Sequence, residues 1–131
     1  MILKKNYKKF FLYFISILFL FLMDRFSKLY ILNIAETFSE VDIYVSSFLN
    51  LYLVWNKGIG FGLFSSDHSM VYNSITTLIF IINIIIVAML FQNQNYKSYF
   101  LILILGGSTS NLFDRLYYSA VPDFIDFHIN N

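Results

Sequence analysis

The amino-acid sequence reads as a mainly α membrane protein, with three transmembrane helices and a small β element in the first outer loop. Of its 131 residues 58% are hydrophobic and only 13% are charged, about half the charge of a soluble domain. The apolar residues also come in long runs rather than in alternation. At this length a single domain is expected over 1–131.

The first run starts at Phe10 and continues through Asp24–Lys28 to about Leu32, long enough to cross a bilayer. A cleavable signal peptide is the competing reading of this end. No Ala-x-Ala-like site precedes Asp24, so a retained helix is favoured. The second run covers about 70–91 and the third about 99–118, with polar residues crowded at the far end of the third. Lys4, Lys5, Lys8 and Lys9 precede the first span, which places that end in the cytoplasm. The 92–98 hairpin carries Lys97 and no anion and falls on the same side. The 33–69 loop and the tail after Tyr118, with Glu36, Glu40, Asp42, Asp67, Asp123 and Asp126, then face outward. Within the loop, 48–55 reads FLNLYLVW and is followed by Gly58, Gly60 and Gly62, which suggests a strand, a glycine turn and a second strand.

Several function classes lose support at this point. With no cysteine and two histidines, His68 and His128, neither a disulfide framework nor a thiolate or histidine-rich metal site is available. A net charge of +1 gives no field for a nucleic-acid partner.

Ionisable residues inside apolar spans are costly, and each is a functional hypothesis. Asp24 and Lys28 lie four apart on one helix face and can pair. A plain interfacial salt bridge is the alternative reading. Asn56-Lys57-Gly58-Ile59-Gly60-Phe61-Gly62 allows positive φ and close backbone approach, or is simply a hairpin turn. The stretch from Gly106 to Arg115 is the most informative. Gly107, Asn111 and Asp114 fall on one helical face, and the small residues Gly106, Gly107, Ser108 and Ser110 permit a helix to approach. Asp114 is then expected in a polar pocket near the outer surface, with helix packing as the alternative. Pro122 opposes continuation of this helix, so Val121–Phe127 reads as an irregular or extended segment.

These clusters, in this order, resemble the lipoprotein signal peptidase (signal peptidase II) family over about residues 10–128. The family's Asp-x-x-x-Lys motif falls on Asp24 and Lys28. Its Asn-x-Gly-x-Ala-Phe-Gly motif falls on Asn56, Gly58, Phe61 and Gly62, with Gly60 in place of Ala. Its Gly-Gly-x-x-Gly-Asn-x-x-Asp-Arg motif falls on Gly106, Gly107, Asn111, Asp114 and Arg115, with Ser110 in place of the later Gly. Val121-Pro122-Asp123-Phe124 matches Val-Val-Asp-Phe. The family continues into a Phe-Asn-x-Ala-Asp motif and a fourth helix, and that motif does not occur in these 131 residues.

The resemblance implies an aspartic endopeptidase of the bacterial cytoplasmic (inner) membrane. It would remove signal peptides from diacylglyceryl-modified prolipoproteins, with its active site near the outer face and without metal or cofactor. Its partners would be those precursors and membrane lipids, not nucleic acid. By motif, Asp114 would be one catalytic carboxylate, and the second would belong to Phe-Asn-x-Ala-Asp. Asn56 and Asn111 would position substrate backbone or the carboxylates. Asp24, Lys28 and Arg115 would hold the polar network, and Gly58 and the preceding strand would form a β-cradle. Asp123 matches a family position without being given the chemistry. The expectation for the 131 residues alone is therefore impaired catalysis. The alternative is an inactive remnant or a non-enzymatic small membrane protein. An ion pathway through Asp24 and Asp114 finds no acidic partner in the second span.

Overall fold

The structure, a computed structural model, describes residues 2–93 and 95–129, giving the backbone alone for 2–5 and 61. The side chains of Lys4, Lys5 and Phe61 therefore lie outside the described set. Three helices, α1 (Ile2–Phe38), α2 (Ser69–Gln92) and α3 (Lys97–Tyr118), carry a three-stranded antiparallel sheet of β1 (Asp42–Ser46), β2 (Leu49–Asn56) and β3 (Val121–Phe127). Two of the helices are long and apolar enough to cross a membrane, over Asn6–Phe38 and Ser69–Gln92. Their large side chains stay exposed, among them Phe11, Phe14, Leu78 and Ile84. Apolar faces of that extent have no place in water. α3 is less apolar, because Ser108–Arg115 interrupts it.

α1 has 37 residues, which at 1.5 Å each is about 55 Å. It therefore extends well past the expected end near Leu32 and shortens the loop that leads to α2. Near one end Tyr13, Leu90, Ile102 and Leu105 form the apolar core, and Phe10 meets Phe91 at 4.7 Å. α1 and α3 approach closely at Gly106, where a Cβ would overlap Leu20, as small-residue helix packing requires. Gly107 faces open space instead.

The sheet caps the other end, and it differs from the expected hairpin. β2 is the anticipated strand, but no strand follows the glycine turn. Gly60–Gly62 forms one 3₁₀ turn, Gly62 at φ +71° and Phe64 at φ +57° bend the chain, and it leads on to α2. β2 pairs upstream with β1, two residues away, and downstream with β3. The tail expected to be irregular or extended is extended, as a strand, and Pro122 is accommodated because β3 lies at the sheet's edge. Ser119, left-handed at φ +60°, ends α3 and turns the chain into β3.

Candidate functional site

Where α1 and α3 meet the sheet, the sequence puts four ionisable groups into the helix interface. Arg25 and Lys28 of α1 both ion-pair with Asp114 of α3. Lys28 Nζ reaches Asp114 Oδ2 at 2.5 Å, Asp24 Oδ2 at 2.6 Å and Asn111 Oδ1 at 2.8 Å. An ammonium has three protons, so Lys28 is fully engaged. Arg25 also donates to the Tyr118 hydroxyl at 3.0 Å and lies 4.7 Å from the Phe113 ring. Ser110, fully buried, donates to Asp24 Oδ2 at 2.5 Å. Two anions and two cations balance, and this balance lets charges persist in an apolar interface. The Ser that stands where Gly was expected thus supplies a bond as well as a small volume.

Above this network lies an open groove of about 650 Å³, bordered by Asp24, Lys28 and Asn111 on the helices and by Trp55, Asn56 and Asp123 on the sheet. Asn56 is the hub of its upper wall. Its Oδ1 accepts from Gly58 N–H at 2.7 Å, while Nδ2 donates to Ile59 O and to Asp123 Oδ2, both at 2.8 Å. Both amide protons are used, so Asn56 holds Asp123 and the glycine loop rather than a further ligand. Gly58 is obligatory at that turn, since a Cβ would collide with the backbone of Leu63 and Ser65. Gly60 borders the groove with open space around its Cα, which explains why Gly and Ala are interchangeable there. Asn111 spends its oxygen on Lys28, and among the described residues its amide donors are unengaged at the groove wall.

The three groove carboxylates differ in their company. Asp24 is bound by Lys28 and Ser110, and Asp126 lies 3.3 Å from His128. Asp123 is exposed, and among the described residues its partner is the neutral amide of Asn56. Asp114, by contrast, has no exposed surface and does not border the groove. Its expected pocket is polar but closed. Arg115 also departs from expectation. It points away from the network toward α2, 5.3 Å from the Tyr72 ring and 3.4 Å from Thr76 Oγ1. Arg25 carries the part expected of Arg115. It stood inside the first cluster beside Asp24, and its cost within an apolar span was the signal for it.

Apolar helices roofed by a sheet over a polar groove define a membrane-embedded protein with a site at one end of its bundle. A bacterial membrane enzyme solved by the in meso method at 2.3 Å has this architecture, with TM-score 0.65 and 26% identity over 89% of this chain and 70% of that one. The profile of the signal peptidase (SPase) II family matches residues 16–131. The lipoprotein signal peptidase of Pelagibacter ubique is 55% identical over 125 residues, 95% of this chain and 75% of that protein. Those of Wigglesworthia glossinidia brevipalpis and Anaplasma phagocytophilum are 37% and 34% identical, over 84% and 83% of this chain and 71% and 69% of theirs. The chain belongs to the signal peptidase II family.

Proposed function

We propose that the protein serves lipoprotein maturation in the bacterial cytoplasmic membrane, hydrolysing the bond between a signal peptide and a diacylglyceryl-modified prolipoprotein at the groove above the Asp24–Lys28–Asp114 network. In this reading α3 is the third span, the lysine-rich N-terminus is cytoplasmic and the groove opens near the outer leaflet. The observation that carries the chemistry is Asp123, a groove carboxylate without a cationic partner among the described residues, fixed by Asn56 at 2.8 Å.

A peptidase of the aspartic type needs one ionised carboxylate to take a proton from water and a protonated one to polarise the carbonyl. Asp123 is open to the groove and free to do the former. Asp114 is tied to two cations and is closed off from the groove. The catalytic role implied for Asp114 by its motif therefore passes to Asp123, and Asp114 anchors the helices that carry the site. The partner carboxylate is assigned to the family's Phe-Asn-x-Ala-Asp motif. Asn111, with its amide donors unengaged, supplies hydrogen bonds to the substrate backbone. The apolar flanks of α1 and α3 suit a signal helix, and the membrane is the natural place for the lipid on its cysteine.

The test is cleavage, followed by mass spectrometry, of one precursor prepared with and without its diacylglyceryl group, in membranes containing residues 1–131 joined to a segment that supplies the Phe-Asn-x-Ala-Asp motif. Release of the signal peptide from the lipidated form alone is expected. Equal cleavage of both would remove the lipid from the substrate definition. Cleavage of neither would favour the non-enzymatic alternative.

A further inference from the structure

α2 packs on α3, and two of its polar residues near the groove end, Tyr72 and Thr76, meet the last turn of α3. Tyr72 donates its hydroxyl to the main-chain oxygen of Arg115 at 2.9 Å. That carbonyl is one of the last four of α3, which have no partner within the helix, and in an apolar setting such a group is expensive to leave alone. The Arg115 guanidinium lies 5.3 Å from the Tyr72 ring and 3.4 Å from Thr76 Oγ1. Arg115 is 4% exposed, and among the described residues no carboxylate pairs with it. Tyr72 and Thr76, one helical turn apart, therefore hold both the main chain and the buried cation of Arg115.

The path from Arg115 to the groove is short and stiff. After α3 the left-handed Ser119 leads into Ala120, Val121 and Pro122, all buried, and then Asp123. A shift in the last turn of α3 has little slack in which to dissipate before it reaches the carboxylate. Asn56 receives Asp123 from the other side, on a strand paired to β3 through Asn56↔Val121. From this geometry we infer that Tyr72 and Thr76 are positioning residues, through which α2 sets the place of Asp123 by clamping Arg115. The inference rests on the hydrolytic reading of the groove for its functional meaning, while the clamp is observable by itself.

Hydrogen exchange of the chain in detergent micelles tests it. Tyr72→Phe removes the hydroxyl and keeps the ring. Its expected effect is a rise in exchange at the amides of 119–124 of about two- to tenfold, the factor for one ordinary hydrogen bond, with α1 and β1 unchanged. Tyr72→Leu, which also removes the ring from Arg115, exceeds it. Thr76→Val gives a smaller local rise and Thr76→Ser restores protection. In the cleavage assay Tyr72→Phe lowers kcat by a similar factor and leaves KM in place. Unchanged protection at 119–124 in Tyr72→Leu overturns the clamp, as does a uniform rise throughout the chain, which marks a merely structural role. A local rise with unchanged kcat overturns the link to the reaction. Exchange reads the clamp whether or not cleavage occurs, so a failure of the clamp and a failure of the hydrolytic reading are told apart.

Discussion

Replacing Asp114 by Asn separates a structural anchor from a reacting group. The substitution keeps the shape and takes away one negative charge. Arg25 and Lys28 have side chains 11% and 4% exposed; among the described residues Lys28 then keeps Asp24 as its anion, while Arg25 keeps only the neutral Tyr118 hydroxyl. Breaking a buried pair from one side costs about 3–5 kcal/mol, because the partner charge stays buried without compensation. Asp123→Asn should behave differently. Its side chain is exposed, and the loss is one hydrogen bond from Asn56, about 1 kcal/mol. Trp55 is the single tryptophan and packs 5.6 Å from Tyr118, whose hydroxyl holds Arg25, so its emission reports on this end of the bundle. Unfolding by SDS titration in mixed micelles should therefore show a large loss of stability for Asp114→Asn and a small one for Asp123→Asn. Adding Lys28→Met to Asp114→Asn removes the stranded cation and should restore part of the loss. The reasoning fails if Asp114→Asn is as stable as the parent, or if the two single variants are equally destabilised.

Other expectations concern the glycine loop and the outer surface. Gly58→Ala should cost about 1–3 kcal/mol, since backbone atoms of Leu63 and Ser65 would have to move. Gly60→Ala meets open space and should stay within about 0.5 kcal/mol; the same SDS titration reads both. Lys57 bonds Asp67 at 2.8 Å, and its hydrogen bond and charge hold that carboxyl below the ordinary 3.8. A lowered carboxylate pKa contributes stability above the ordinary value and loses it as pH falls through the lowered one. Protection in 57–67 from this pair should thus be fully present and independent of pH near neutrality and fall below about pH 4, and Asp67→Asn should remove that dependence.

The helices were legible because apolar runs need no partner to declare themselves. The outer end of α1 was not, since Asn33, Glu36 and Thr37 read as a loop by composition yet continue an established helix. β2 announced itself through FLNLYLVW. Its partners did not, because the pairing of Leu49–Asn56 with Val121–Phe127 joins segments some seventy positions apart. Pro122 argued against continuation of the helix, and the edge position of β3 lets it sit in a strand. In the site, the Asp24–Lys28 pair followed from helical spacing, and the elements bearing Asn56, Asn111 and Asp114 do converge. The roles of the two carboxylates were not legible. A motif gives the order of residues along the chain, whereas burial and company decide which carboxylate meets substrate. Asp114 and Asp123 differ in both.

The decisive measurement joins residues 1–131 to a C-terminal segment bearing the Phe-Asn-x-Ala-Asp motif and fourth helix that the resemblance implies, and follows cleavage of a lipid-modified prolipoprotein by this chimera and by its Asp123→Asn variant. The chimera should cleave, and the variant should fold and lose about 10²-fold or more in rate, the scale of an acid–base group. Cleavage by the Asp123→Asn variant at the parent's rate would contradict the assignment of hydrolysis to the groove carboxylate.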